Sequence, residues 1–281
     1  MTPDSAVAHF PMVDFHVHAG PDARPRRCDA FDLGRTAAEH NIVGLVLKSH
    51  SLNTVSAAAL VERAWPTVRA AGGVALNCAA GGINPLAVEA SIAAGGKVVW
   101  FPTQDAENDR RRSGIPGPSV TLVNGDGGLT DDVHEVLRLC AEADQVVCSG
   151  HLEPAQTEQL FSAAQHHGVE RFVISHPDHR NVDMPPSLQQ ELSARGAWIE
   201  RIIPRLDTST IGLDELVERI RAVGVERNLL ASDLGQPQNP VPPEGFRGFV
   251  EALATAGLTW EQLETIGCRN ACTLLGWEMA A

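Results

Sequence analysis

An α/β fold, a single-domain (β/α)8 barrel, is what this sequence predicts, and three observations predict it. Short, almost continuously apolar segments of strand character alternate with amphipathic helical segments eight times, the pattern of a parallel sheet covered by helices. The length of 281 residues suits one barrel of about 250 residues with short terminal additions. Polar residues fall at the C-terminal ends of the apolar segments, and in a barrel those ends converge on the face where active sites are built. The competing arrangement is an open doubly wound sheet. There the turn after the first strand, Ala19-Gly20-Pro21-Asp22, has neither the dinucleotide-binding glycine pattern nor a Walker lysine, so that sheet lacks its customary ligand.

Residues 1–11 read as an N-terminal extension and residues 12–281 as the barrel. The first strand runs from Val13 to His18, and strand alternation puts His16 and His18 on one side with Val17 on the other. Asp29 to His40 has helical periodicity, and Ile42 to Leu47 is a buried strand ending at Lys48-Ser49-His50. A helix from Thr54 to Ala71, bent at Pro66, precedes a third strand from Gly73 to Cys78. Pro85 to Ala94 is the third helix and Lys97 to Phe101 the fourth strand. The connection 102–129, rich in Pro, Gly and Arg, has the length of a functional loop or lid. A helix from Asp131 to Ala143 leads to the strand Gln145 to Ser149 and then Gly150-His151, and Pro154 suits the first turn of the helix that runs to His167. Arg171 to His176, Ala197 to Glu200 and Asn228 to Ser232 are the last three strands, with helices at Pro186 to Arg195 and Leu213 to Val223 between them. Asp233 ends the eighth strand, and C-terminal helices close the domain.

Composition narrows the function classes. Hydrophobic residues make up 43% of the chain, mean hydropathy is −0.08, and no apolar run approaches the roughly 20 residues that span a bilayer. The N-terminus has no positive segment followed by a long apolar one, which points to the cytoplasm. Six scattered cysteines fit reduced, buried thiols; Cys268 and Cys272, one helical turn apart, are a minor alternative metal pair. The formal charge of −13 argues against nucleic acid or an anionic membrane as partner. A small molecule remains, with assembly into identical subunits left open. Arginines cluster at Arg24, Arg26 and Arg27 and at Arg110 to Arg112, either as solvated loop faces or as a grip for a substrate carboxylate. Of the 22 basic residues only Lys48 and Lys97 are lysine, and a surviving lysine is suited to what arginine cannot do, titrate or react at its amine.

Two imidazoles converging from one strand are a ready pair of metal ligands, and without cysteines beside them they suit an open, catalytic site. The strand-end residues His16, His18, Lys48, His50, His151, His176 and Asp233 should meet at one mouth. With these residues the chain resembles the amidohydrolase superfamily of metal-dependent TIM barrels. Its pattern of His-x-His after strand one, histidines after strands five and six, and an aspartate after strand eight is matched by His16-Val17-His18, Ser149-Gly150-His151, Ser175-His176-Pro177 and Ser232-Asp233-Leu234. The segment Asn270 to Trp277 also looks like the closing helix of many members, so the resemblance spans nearly the whole chain.

The resemblance implies a divalent cofactor, one ion or two, bound by His16, His18, His151, His176 and Asp233. Imidazole and carboxylate suit zinc and also admit manganese, iron, nickel or cobalt. It departs at strand four, which ends Trp100-Phe101-Pro102-Thr103 where dinuclear members carry a bridging carboxylated lysine or glutamate. Lys48, which shares parity with His50, is a substitute, as a carbamate bridge or as a grip on an oxyanion. A divalent ion lowers the pKa of bound water from about 15.7 to about 7, and Asp233 is the expected general acid and base. His50, Arg24, His179 and Arg201 are candidates for substrate binding; Glu200 and Arg201 end strand seven and fit substrate contact or structural pairing. His9, His40, His134, His166 and His167 fit surface roles.

The expected activity is hydrolysis of a C–N or C–O carbonyl-type bond in an amide, lactam, lactone or ester. The alternatives are a mononuclear decarboxylase or C–C bond hydrolase, and a non-catalytic metal-binding barrel. There is no tyrosine to act as a phenolic acid and no Gly-x-Ser-x-Gly elbow for a serine hydrolase.

Overall fold

The computed structural model describes residues 11–205 and 207–278; most of the expected N-terminal extension lies outside the described residues. Among the described residues nine strands form two parallel sheets: β1 (Met12–Val17), β2 (Ile42–Leu47) and β3 (Arg69–Ala71) in one, and β4 (Gly73–Ala75), β5 (Val98–Trp100), β6 (Val146–Cys148), β7 (Phe172–Ile174), β8 (Trp198–Ile202) and β9 (Asn228–Ala231) in the other. β3 and β4 are two halves of one extended segment that changes partners at Gly72. The first half pairs with β2 and the second with β5, so the described strands fill eight barrel positions. At the other seam, backbone bonds from Asp233 N to His16 O (2.9 Å) and from His18 N to Leu234 O (2.8 Å) join the ends of β1 and β9.

That segment corrects the expected long helix. The helix is Val55–Ala64, and the chain after Pro66 extends as a strand even though Arg69-Ala70-Ala71 favours a helix. Close packing explains the glycine that follows: a Cβ on Gly73 would sit 1.7 Å from the Val98 carbonyl oxygen, a space only glycine leaves open. A second correction concerns 102–129, which is not a bare loop but carries the helix Glu107–Ser113. The remaining expected strands and helices appear within a few residues of their predicted bounds, and the helix Pro242–Thr255 forms where only unplaced closing helices were expected.

Strand parity sorts the core into layers. Val46, Trp100, Val146, Cys148, Val173, Trp198, Ile202 and Ala231 fill the barrel interior. Their neighbours Leu45, Leu47 and Leu230 pack outward on Leu33, Val61, Leu216 and Phe249, while Val99, Val147, Phe172 and Ile199 pack on Val88, Leu137, Leu160 and Leu192. Burial of these apolar faces on both sides of each strand is what holds a parallel barrel together. Ala271, Leu274, Leu275 and Trp277 of the closing segment join the interior group from its end. β1 carries a bulge, since three residue steps from Asp14 to Val17 face two steps from Leu45 to Leu47 on β2. Such a bulge re-aims a side chain beside a site, and here Phe15 joins the interior while His16 reaches the mouth. Among the described residues no helix is long and apolar enough to cross a membrane.

Candidate functional site

Three ligating atoms form a nearly equilateral triangle at the end of β1. His16 Nε2 and His18 Nε2 are 3.2 Å apart, and Asp233 Oδ1 lies 3.3 Å from the first and 3.2 Å from the second. Ligand bonds of about 2.0–2.2 Å put neighbouring donors about 2.8–3.6 Å apart at angles between octahedral and tetrahedral, and the triangle falls within that range. Hydrogen bonding fixes what these atoms present. His18 Nδ1 is 2.9 Å from the Lys48 carbonyl oxygen, which can only accept, so His18 carries its proton on Nδ1 and Nε2 is a bare lone pair. His16 Nδ1 is 2.7 Å from Glu200 Oε1, and with Glu200 ionised the same holds there. Three acceptors face one another in this dry site only once Glu200 is ionised; burial raises Glu200 to about 8, so the metal-free cluster holds a proton that an entering cation would displace. Burial holds both histidines below their ordinary values, His16 well below.

A circuit of imidazoles surrounds the triangle, with ring centroids 5.0 Å apart for His16 and His18, 5.0 Å for His18 and His50, 6.0 Å for His50 and His151, 4.8 Å for His151 and His176, and 5.8 Å for His176 and His16. His179 adjoins His176 at 5.2 Å. His50 Nδ1 is held by the Thr103 hydroxyl at 2.8 Å and His151 Nδ1 by Asp109 Oδ1 at 2.9 Å. Two of the site residues, His176 (φ +25°) and Asp233 (φ +51°), lie in the left-handed region, which stores backbone strain where function requires it. Among the described residues, the buried polar atoms Lys48 Nζ, Glu200 Oε2, Asp14 Oδ2 and His176 Nδ1 have no hydrogen-bond partner. Burial lowers Lys48 and raises Asp14 to about 7 and Glu200 to about 8.

The structure therefore brings His16, His18, His50, Lys48, His151, His176, His179 and Asp233 to one mouth, with His16, His18 and Asp233 as the tight set. His16, His176 and Glu200 form a second, looser group, but it shares His16, whose Nδ1 is already bonded to Glu200. His151 enters neither group. Arg201 is not a pocket residue: fully buried, it points to the helix side of β8, where it bonds Asp178 (2.6 Å), Gln189 (2.7 Å) and Asn228 (2.8 Å). Successive strand residues face opposite sides, so Glu200, its neighbour, is the one that faces inward. Arg24 is exposed, and the drawn-in guanidinium of its loop is Arg26, paired with Asp22 at 2.7 Å. The second arginine cluster is spent on protein partners, Arg110 on Asp105, Arg111 on Glu153, and Arg112 on the Arg180 carbonyl. Sequence reasoning missed Asp109, for which strand position gave no signal, and left Glu200 undecided although it interrupts an apolar strand.

Solved structures share the fold over nearly their full lengths. A protein described as the dipeptidase PvdM of Pseudomonas aeruginosa is 11% identical with a TM-score of 0.68, covering 98% of this chain and 96% of that one. An amidohydrolase from Burkholderia multivorans with bound zinc is 11% identical with a TM-score of 0.62, covering 95% and 100%. A protein from Pseudomonas putida described as a 2-pyrone-4,6-dicarboxylic acid hydrolase is 16% identical with a TM-score of 0.63, covering 97% and 100%. The fold is thus one that this chain shares with solved proteins described as amidohydrolases and dipeptidases. Residues 11–200 match the Family of unknown function (DUF6282), to which the chain belongs. No curated protein matches it.

Proposed function

We propose that this protein is a metal-dependent hydrolase that opens a C–N or C–O bond at a carbonyl-type carbon of a small substrate, with one divalent ion, zinc in the first instance, held by His16, His18 and Asp233. The observation that carries it is the convergence of three ligating atoms at 3.2–3.3 Å, with the His18 tautomer fixed by a carbonyl oxygen. Bound there, the ion would acidify water and polarise the scissile carbonyl. Asp233 turns Oδ1 to the imidazoles, which leaves Oδ2 to take the proton of the attacking water and return it to the leaving group. Glu200 locks the His16 ring, the support that ligating histidines ordinarily need. Lys48, buried and unpartnered, grips an anionic part of the substrate; its carbamate bridging a second ion is the other form of this reading. The likeness to a barrel described as a pyrone dicarboxylic acid hydrolase keeps lactones in the substrate range.

One observation favours a second reading, a mononuclear decarboxylase or C–C bond hydrolase: β5 and the Phe101-Pro102-Thr103 segment after it offer no bridging ligand. Metal content per chain, measured by elemental analysis on protein purified without chelator or histidine tag, tests both. One zinc in the parent and in Lys48→Ala, with hydrolysis of a lactone and amide panel abolished in Asp233→Asn, is the expected result. Two ions falling to one in Lys48→Ala would restore the bridging lysine, and release of carbon dioxide from β-keto or aromatic acids would favour the second reading. No ion after reconstitution with zinc would sink the proposal.

A further inference from the structure

The helix Glu107–Ser113 sits across the two loops that carry the outer histidines. Asn108 donates to the carbonyls of His151 (3.0 Å) and Asn181 (2.5 Å), and Arg112 donates to that of Arg180 (3.0 Å). Asp109 Oδ1 accepts from Asn181 Nδ2 (2.6 Å) as well as from His151 Nδ1. Both residues of the ring bond are buried. A carboxylate on Nδ1 puts the proton of His151 there and leaves Nε2 as a bare acceptor. His179 is set the opposite way, because its Nδ1 accepts the backbone N–H of Asn181 at 3.1 Å, so the ring proton of the neutral imidazole lies on Nε2. The two rings stack 28° from parallel with centroids 5.9 Å apart. Burial pushes His179 down to about 4, which keeps it neutral with that one ring proton.

A carboxylate behind a histidine suits a metal ligand as well as a proton acceptor, and here the distances decide. Among the described residues, every set of three ligating atoms within 4.8 Å of one another omits His151. We propose that Asp109 is a positioning residue that fixes His151 to serve the substrate rather than the ion, so that the mouth offers an acceptor on His151 beside a donor on His179. A substrate with a complementary edge, a hydrogen-bond donor next to an acceptor as in an amide or a hydroxy acid, would be matched by this pair. The inference rests on the hydrolase reading for its reaction, but not for its tautomers.

Ring 15N spectra of histidine-labelled, metal-free protein test the tautomers, with His151→Ala assigning the signal. The parent should show His151 protonated on Nδ1 and His179 on Nε2. Asp109→Leu should move His151 to the Nε2–H form or to a mixture, and Asp109→Asn, whose Oδ1 can still accept from both partners, should keep it. Zinc titration of the metal-free protein tests the division of labour: His151→Ala and Asp109→Asn within threefold of the parent, and His18→Ala weaker by 100-fold or more. A His151 tautomer that ignores Asp109, or a tenfold or greater loss of zinc affinity in His151→Ala, would overturn the inference. A parent that binds no zinc counts against the hydrolase reading, and the spectra then decide the positioning role by themselves.

Discussion

Glu200 and Arg201 are consecutive, equally dry and opposite in fate. On the helix side of β8, Arg201 meets Asp178, Gln189 and Asn228, and Asp178 also binds Arg219 at 2.5 Å, so each charge has a partner. On the barrel side, Glu200 spends one oxygen on His16 and leaves the other without a partner, as Lys48 Nζ, Asp14 Oδ2 and His176 Nδ1 are left. Burying polar groups is costly on either side. A satisfied network returns that cost as structure, whereas an unsatisfied one holds it in reserve for a ligand. The difference separates scaffold from site without reference to any relative.

The largest effect that could break this comparison is on stability. Arg201→Met leaves the Asp178 carboxylate buried with only Arg219 and Gln189, and removal of one partner from a buried pair costs about 3–5 kcal/mol. Because two partners remain, the expected loss is near the lower end, about 3 kcal/mol. Lys48→Met removes an amine that has no hydrogen-bond partner among the described residues and replaces it with an apolar chain of similar volume, so metal-free protein should change by less than about 1 kcal/mol. Urea unfolding of both variants measures the contrast. Equal losses would show that the inner cluster is as structural as the outer one.

A smaller effect should appear in the pH dependence of the metal-free protein, with opposite signs for the two clusters. Burial alone would raise Asp178, but Arg201 leads the partners that lower it below 3.8. Its stabilising contribution is therefore present above about pH 4 and lost as pH falls through the folded value, where the unfolded chain binds the proton that the folded one does not. Burial raises Glu200 from 4.5 to about 8. Its contribution is present below 4.5 and lost as pH rises toward 8, with a slope of at most about 1.4 kcal/mol per unit. Unfolding curves between pH 5 and 8 should flatten in Glu200→Gln while the acid limb stays in place. An unchanged slope in that variant would assign the proton elsewhere, with Asp14, raised to about 7 by burial, next in line.

The strand and helix alternation was legible because apolar runs and caps are local, and so was the convergence of His16, His18, His50, Lys48, His151, His176 and Asp233, because each ends a strand. The side that each residue of β8 faces was not legible. All five residues of Trp198–Ile202 are buried, so the alternation says that Glu200 and Arg201 diverge but not which one enters the barrel; only packing of Ile199 on the helices and of Trp198 in the interior answers that. The Arg69–Ala71 strand was hidden by its alanines, whose local preference yields to pairing with β2. Asp109 was hidden for a different reason. It reaches His151 across 42 residues from a short helix within a connection, and no periodicity encodes that contact.

The smallest expected effect is at Arg24, and it tests the rule from the other end. Arg24 is exposed beside Arg26, whose guanidinium is 6% exposed and holds Asp22, itself bonded to the Ser49 hydroxyl at 2.9 Å. Arg24→Ala should alter stability by less than about 0.5 kcal/mol, as exposed substitutions do. A contact with a substrate carboxylate made through solvent would be screened by salt, so KM should rise by no more than about threefold at physiological ionic strength while kcat stays unchanged, the mark of uniform binding. Steady-state kinetics on any hydrolysed compound of the lactone and amide panel, repeated at high salt, measures this. A tenfold rise in KM would mean that the mouth closes over Arg24 when substrate binds. Burial in the free protein would then no longer mark the limit of the site, and the arginine loop would become part of the pocket.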